Sequence, residues 1–213
     1  MLEPRETETQ RVFDALRSQI LRQELPAGTP LGHSQLCRDL KTSRTPVREA
    51  IRKLEGLGLV YTLPHRGSFV AQLGLKDFLE INQIRSLLEP FAARQAAGHV
   101  PDLILDELEQ RVRTLDREQP GDDDFQMLYV IDGDIHRTIG RYAGNARLDD
   151  LSETLRSLCQ QFSYDSRLRF DVMVGELLAL LDALRRGDPD QAETIMRQHV
   201  NNFSEALPRL ISR

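Results

Sequence analysis

The segment from Thr42 to Val60 constrains the fold of this chain more than any other stretch, and it reads TSRTPVREAIRKLEGLGLV. Thr45 followed by Pro46 predicts the start of a helix, because threonine can cap a first turn and proline is tolerated at the first helical position. One apolar stripe then recurs at helical spacing, formed by Val47, Ile51 and Leu54. The segment therefore predicts a short helix with one buried face, ended by two glycines, Gly56 and Gly58.

Arginines mark the N-terminal end of this helix. Arg44 precedes the first turn and Arg48 lies off the apolar stripe. A guanidinium group in such a place can reach phosphates and base edges when the helix enters the major groove of DNA. The alternative is that both arginines are ordinary solvated charges on a small helical module.

Charge is distributed unevenly along the chain. The formal net charge is −5, but residues 1–74 hold 11 Lys and Arg against 8 Asp and Glu, whereas residues 75–213 hold 17 against 25. A basic segment joined to an acidic body is compatible with DNA contact by one domain, although an excess of this size is weak evidence by itself.

Two further helical patterns precede the central segment. Residues Arg11 to Gln23 predict the first helix, and Gln35 to Leu40 predict the second, with Ser34 as its N-cap. Only three residues separate the second helix from the central one. Helix, tight turn and helix in this order are typical of a helix-turn-helix motif.

A hairpin pattern follows the central segment. Val60 to Leu63 and Ser68 to Ala71 predict two short strands around a turn that contains Arg66 and Gly67. Glycine allows close backbone approach, and an arginine at a hairpin tip can enter a minor groove. A basic hairpin beside a helix-turn-helix predicts a wing.

The SRTPVREA core followed by the RGSFVA ending resembles the winged helix-turn-helix of the GntR family of bacterial transcription regulators, over about residues 10–72. This resemblance implies a homodimer that binds a short palindromic operator in double-stranded DNA. It also implies a set of contacts: Arg44 and Arg48 in the major groove, Ser34 and Thr45 on phosphates, and Arg66 with Gly67 in the minor groove.

The rest of the chain reads as helix with short connections. Six helices are predicted: Lys76–Ala97, Asp102–Gln119, Asp122–Ala143, Ala146–Asp165, Arg167–Arg186 and Asp190–Leu207. Such a series predicts an antiparallel bundle. The predicted fold is therefore mainly α, with a winged helix-turn-helix domain (1–72), a linker (73–75) and an all-α bundle (76–213).

Arg85 lies on an inward-facing stripe of the first bundle helix, so its guanidinium group requires a negative partner. Glu89, one turn further on, is one candidate partner. The other candidate is the carboxylate of a bound ligand. The sequence alone leaves both open.

Asp132 and His136 share one helix face at a spacing of four residues, and His199 lies on the apolar stripe of the last helix. A carboxylate and imidazoles are ligands for divalent transition metals. The alternatives for Asp132 and His136 are a hydrogen bond within the core or a simple exposed pair. For His199 the alternative is an ordinary buried histidine.

Three segments of the bundle, IRSLLEPFAARQAA, DGDIHRTI with AGNARL, and LLDALRRGDPDQAETIMRQHV, resemble the FCD effector domain of the FadR-type branch, in its VanR-like six-helix form. The resemblance implies that Asp132, His136 and His199 bind one divalent metal (Zn, Ni, Fe or Mn) and that Arg85 holds the carboxylate of a small effector. Leu177 stands where such proteins usually have a third histidine. Glu176 is adjacent, but helical geometry turns it about 100° away.

These features predict a transcription regulator, repressor by family habit, whose operator binding responds to a small organic acid. There are three alternatives. They are a metal-independent regulator with a more apolar effector, a metalloenzyme, and a ligand-independent architectural DNA binder. The sequence shows no paired nucleophile and general base beside Asp132, His136 and His199, which argues against a metalloenzyme. Without a signal-like or membrane-length apolar run, and with only two cysteines, Cys37 and Cys159, we expect a cytoplasmic protein.

Overall fold

The computed structural model of the protein describes residues 7–21, 24–72, 74–159 and 169–211, with side chains of the last helix described to residue 202. The chain divides into two compact units, Met1–Gly74 and Leu75–Arg213. The fold is mainly helical, with one small antiparallel sheet in the first unit. No helix of the described part is long and apolar enough to cross a lipid bilayer.

The first unit is a helix-turn-helix followed by a hairpin. Its elements are α1 (Glu8–Leu21), α2 (His33–Asp39), α3 (Arg44–Gly56), β1 (Val60–Leu63) and β2 (Gly67–Val70). Helix α3 packs on α1 through the predicted stripe, because Val47, Ile51 and Leu54 are all buried. This packing leaves the other side of α3 facing solvent.

The predicted starts of α2 and α3 were each wrong by two residues. Gly32 is the N-cap of α2, so Ser34 lies inside the first turn, and Ser43 rather than Thr45 is the N-cap of α3. Glycine and serine both occur at N-caps, and each adopts extended backbone here. Pro46 is still accommodated, because the first-turn N–H groups have no partner within the helix.

The hairpin pairs Val60 with Val70 and Leu63 with Gly67 in antiparallel register. Strand β2 therefore begins and ends one residue earlier than the predicted Ser68–Ala71 strand. Gly67 has φ of +96°, a backbone conformation that favours glycine, and it ends the turn after the exposed Arg66. The aromatic rings of Tyr61 and Phe69 stack across the two strands.

The second unit is a bundle of six helices within the described residues: α4 (Leu75–Ala96), α5 (Asp102–Arg113), α6 (Asp122–Tyr142), α7 (Ala146–Cys159), α8 (Phe170–Arg186) and α9 (Pro189–Ile211). Leucine and isoleucine side chains of α5, α6 and α8 fill its core. Helix α4 packs along α9 and also contacts α6 and α7. The polar residues discussed below lie on α4, α6, α7, α8 and α9.

The ends of α5 and α9 differ from the prediction by several residues. Helix α5 ends at Arg113 instead of Gln119, because the Asp116 carboxylate accepts the backbone N–H groups of Glu118 and Gln119 and holds the chain in a turn. Helix α9 continues to Ile211 instead of Leu207, and α8 begins at Phe170 within the described residues. The predicted ends at Gln23, Asp165 and Arg167 lie outside the described residues.

Candidate metal centre and nucleic-acid interface

Three side chains predicted as metal ligands come together between α6 and α9. The Oδ1 atom of Asp132 lies 3.0 Å from Nε2 of His199 and 3.5 Å from Nε2 of His136. All three potential ligand atoms lie within 4.8 Å of one another. Both histidines are buried and Asp132 is nearly so.

A carboxylate contacts Nδ1 of each imidazole and fixes the orientation of the ring. Nδ1 of His136 lies 2.8 Å from Oε2 of Glu89 on α4, and Nδ1 of His199 lies 2.9 Å from Oε2 of Glu176 on α8. When Nδ1–H donates to such a carboxylate, the lone pair on Nε2 is free to bind a metal. Both Nε2 atoms face Asp132, so this pattern favours metal binding between the three residues.

Arg85 fixes Glu89 in turn. Its Nε donates to Oε1 of Glu89 at 2.6 Å and its Nη2 donates to Oε2 at 3.2 Å. Both residues are buried, with exposed fractions of 6% and 4%. Of the two partners that the sequence left open for Arg85, the structure therefore shows Glu89.

The charges within this group hold one another in the ionised state. Burial by itself would raise the pKa of Glu89, but Arg85 and His136 outweigh burial and hold the pKa below its usual value. Burial would lower the pKa of His199, but Asp132 and Glu176 outweigh it and raise the pKa to about 9. The pKa of His136 is also raised, because Glu89 and Asp132 outweigh its burial.

A divalent metal fits the unsatisfied atoms of this group. Oδ1 of Asp132 and Nε2 of His136 are both buried without a hydrogen-bond partner. Oδ1 also lies close to His199, but the approach lacks hydrogen-bond geometry. Leaving such atoms unpaired is costly, and a bound cation would satisfy them together. Two imidazole nitrogens and one carboxylate oxygen suit Zn, Ni, Fe or Mn.

Leu177 contributes nothing polar here, because its side chain is fully buried in the apolar core. The sequence predicted that Glu176 would point away from the metal ligands. In the structure its carboxylate instead contacts Nδ1 of His199. It also accepts hydrogen bonds from Asn202 Nδ2 at 2.6 Å and Arg169 Nη2 at 3.2 Å. The sequence signal was a carboxylate beside Leu177, but only its side-chain length and the packing of α8 on α9 bring it to His199.

A narrow cavity that opens to solvent adjoins His136. Glu89 and His136 form one wall and α7 forms another, and most of the surface that the cavity exposes is apolar. The polar residues on α7 are Asp149, Ser152, Glu153 and Arg156. Sequence reasoning missed this wall, since nothing in the α7 sequence marks which of its polar residues face inward.

The six residues predicted to contact DNA all lie in the first unit. They are Ser34 on α2, Arg44, Thr45 and Arg48 on α3, and Arg66 and Gly67 at the hairpin tip. Every one of them is exposed. Arg44 and Arg48 lie in the first half of α3, away from its buried stripe, where a recognition helix contacts base edges.

Both parts of the chain match models of known protein families. The model of the bacterial regulatory proteins of the gntR family matches residues 8–70, and the FCD domain model matches residues 80–202. The HTH-type transcriptional repressor RspR of Escherichia coli is 28% identical over 98% of this chain and 92% of its own length. A probable D-xylose utilization operon transcriptional repressor of Paenarthrobacter nicotinovorans is 32% identical, covering 95% and 89% respectively.

Solved structures show the same fold. E. coli McbR/YncC superimposes with a TM-score of 0.75 at 21% identity, covering 96% of this chain and 99% of that protein. The relatives are transcription regulators and not enzymes, which removes the metalloenzyme alternative. This chain therefore belongs to the GntR family of DNA-binding transcription regulators, in the group that carries an FCD domain.

Proposed function

We propose that this protein is a homodimeric transcriptional repressor whose operator binding is controlled by a small organic acid, bound in the FCD unit together with one divalent metal ion. The observation that carries this proposal is the convergence of Asp132, His136 and His199, two of which present buried atoms without partners. The relatives named as repressors support the direction of control.

Asp132, His136 and His199 would hold the metal, which when bound would supply a Lewis-acidic centre with open positions for effector oxygens. The chain's own residues prepare that centre. Glu89 and Glu176 hold the two imidazole rings in the metal-binding tautomer. Two of the nitrogens of Arg85 are already used by Glu89, which supports an effect of Arg85 on the effector through Glu89.

In the proposed DNA complex, α3 lies in the major groove and the hairpin lies beside it. Arg44 and Arg48 would contact bases or backbone, Ser34 and Thr45 would hold phosphates, and Arg66 with Gly67 would enter the minor groove. All six residues are exposed, which supports these roles. The buried stripe anchors α3 so that its arginines keep a defined orientation.

An exposed apolar stripe on α4 supports the homodimer. Ile84, Leu87 and Phe91 are 46%, 66% and 48% exposed and recur at intervals of three and four residues, so they share one helix face. Large apolar side chains grouped in this way are typical of a protein interface. A second copy of the chain would cover them and give the twofold symmetry that a palindromic operator requires.

Metal content tests the central proposal. We expect purified protein, dialysed against Zn²⁺ or Ni²⁺ and then against buffer, to retain about one ion per chain by elemental analysis, because three converging ligands are present. His136→Ala should lose the ion. His99→Ala, which removes an exposed histidine of the same bundle, is the control and should keep it. If neither the wild type nor the His99→Ala control retains an ion, the proposed metal site is wrong.

The metal-free protein should lose stability as pH rises. The folded-state pKa of His199 is about 9, above its unfolded value of 6.5, so protonation favours folding. Its contribution, on the order of 3 kcal/mol, is complete below about pH 6.5 and is lost as pH rises through 9. Urea unfolding in EDTA from pH 6 to 9.5 measures it, and the decline should be smaller in His199→Asn than in His99→Ala. Parallel curves for the two variants would contradict this account.

Arg48→Ala tests base reading by α3. On an operator obtained by in vitro selection with this protein, we expect the variant to lose about 1–3 kcal/mol of binding free energy, because one base contact is removed. Arg52→Ala, an exposed arginine one turn further along α3, is the matched control and should lose less. Titration of operator and random DNA at one salt concentration measures both, and equal losses on the two DNAs would show that Arg48 contacts only phosphate.

Leu87→Glu tests the dimer. A charge in the middle of the α4 stripe should convert the dimer to a monomer, because a carboxylate buried at a symmetric interface faces its own copy. Leu103→Glu on α5, at a side chain that is 80% exposed, is the control and should leave the dimer intact. Sedimentation velocity of both variants gives the masses. A dimeric Leu87→Glu would place the interface elsewhere.

A further inference from the structure

Glu55 is an acidic residue on the same side of α3 as Arg48, which is proposed to contact DNA. It follows Arg48 and Arg52 at intervals of seven and three residues, so the three exposed side chains share one side of the helix. A carboxylate in this position repels phosphates and by itself weakens binding to every DNA sequence. Its presence beside the arginines calls for a reason in the structure.

The carboxylate of Glu55 contacts the backbone of the hairpin. Its Oε1 atom accepts a hydrogen bond from the backbone N–H of Thr62 on β1, at 3.1 Å. Alternate residues of an antiparallel pair direct their backbone groups away from the partner strand, and Thr62 is such a residue. Glu55 therefore supplies an acceptor at the free edge of β1, where no neighbouring strand provides one.

The opposite edge of the hairpin is held at the same level. Ser68 pairs with Thr62, and its carbonyl oxygen accepts the backbone N–H of Leu31 at 2.8 Å. The hydroxyl oxygens of Thr62 and Ser68 lie 2.9 Å apart, so the two strands are also joined through their side chains. The Thr62–Ser68 pair is thus attached to α3 on one edge and to the segment before α2 on the other.

The tip of the hairpin begins one residue beyond this pair. Residues 63–66 are all exposed, and the backbone N–H of Arg66 closes the turn by donating to the carbonyl oxygen of Leu63 at 3.1 Å. Because these residues bury no side chain, the strands that lead to the tip decide its direction. The orientation of Arg66 therefore depends on how the Thr62–Ser68 pair is attached to the rest of the unit.

We propose that Glu55 is a positioning residue for the DNA contact of the hairpin. By accepting the N–H of Thr62, its carboxylate fixes the direction in which the hairpin leaves α3. Arg66 and the arginines of α3 then reach the minor and the major groove together, with less conformational freedom to lose on binding. This gain outweighs the repulsion between one exposed carboxylate and DNA, because salt screens that repulsion. The role of Glu55 rests on the proposed contact of Arg66 with DNA and adds the residue that orients it.

Three substitutions of Glu55 in the full chain separate the hydrogen bond from the charge. Glu55→Gln keeps an acceptor oxygen at the same distance and removes the charge, so it should bind the operator obtained by in vitro selection as tightly as the wild type or more tightly. Glu55→Asp keeps the charge but is shorter by one methylene group, and Glu55→Ala has neither group. Both should weaken operator binding about fivefold, as expected for one lost hydrogen bond. Fluorescence anisotropy of labelled operator at one salt concentration measures all three variants.

The sign of the Glu55→Ala effect distinguishes positioning from charge. Loss of an acidic charge alone would strengthen binding to operator and to random DNA alike. Glu24→Ala removes an exposed carboxylate of the same unit outside α3 and the hairpin, and it should bind operator no more weakly than the wild type. Thermal unfolding followed by circular dichroism checks that each variant is folded. Wild-type or tighter operator binding by Glu55→Ala, or equal losses in Glu55→Gln and Glu55→Ala, would overturn the role of Glu55.

A double-mutant cycle with Arg66→Ala shows whether Glu55 acts through the hairpin. In the Arg66→Ala background, Glu55→Ala should cause less than about twofold further loss, because the contact that Glu55 orients is already absent. The full loss in that background would contradict the proposal, since Glu55 would then act elsewhere. If Arg66→Ala alone binds operator like the wild type, the proposed minor-groove contact fails and the role of Glu55 fails with it. If Arg66→Ala weakens binding and Glu55→Ala does not, the contact stands and only the role of Glu55 is wrong.

Discussion

A buried series of ion pairs organises the second unit. Arg85 holds Glu89, Glu89 holds His136, and Asp132 stands between His136 and His199. Glu176 completes the series from α8, so four helices contribute to it. Buried charges are tolerated only in compensating sets, and removal of one member leaves the others uncompensated. The packing of α4, α6, α8 and α9 therefore depends on the ionisation of this group.

The charge of this group accounts for its affinity for either protons or a metal. Three carboxylates, Glu89, Asp132 and Glu176, face two guanidinium groups, Arg85 and Arg169, so neutral imidazoles leave one negative charge in excess. Two protons on the histidines add two positive charges, and one divalent ion between them adds the same two charges. Metal binding can thus replace protons without changing the electrostatic balance of the bundle, and metal affinity must depend on pH.

Helix α4 connects the cavity beside His136 to the proposed dimer interface. Glu89 lines the cavity on one side of α4, whereas Leu87 and Phe91 are exposed on another side of the same helix. An effector that alters the contacts of Glu89 can therefore act on the subunit arrangement through one rigid element. In the proposed mechanism this changes the spacing of the two DNA-binding units, and the effector must bind the two arrangements with different affinities.

The sequence predicted what depends on local periodicity and failed where partners are chosen by tertiary packing. The buried stripe of α3 and the shared face of Asp132 and His136 follow from helical spacing. His199 joined them only through a family resemblance, because it lies 63 residues further along the chain. Glu176 was set aside and Arg156 was missed, since the orientation of α8 and α7 decides which polar side chains turn inward.

Leu177 gives the proposed site a property that follows from simple coordination. Leu177 stands where the family resemblance implies a third histidine, and its side chain packs in the apolar core, so the proposed ligands are two imidazoles and one carboxylate. Fewer protein ligands leave more positions for oxygens of an effector. Metal and effector must then strengthen each other's binding by the same factor, because coupling free energies are reciprocal.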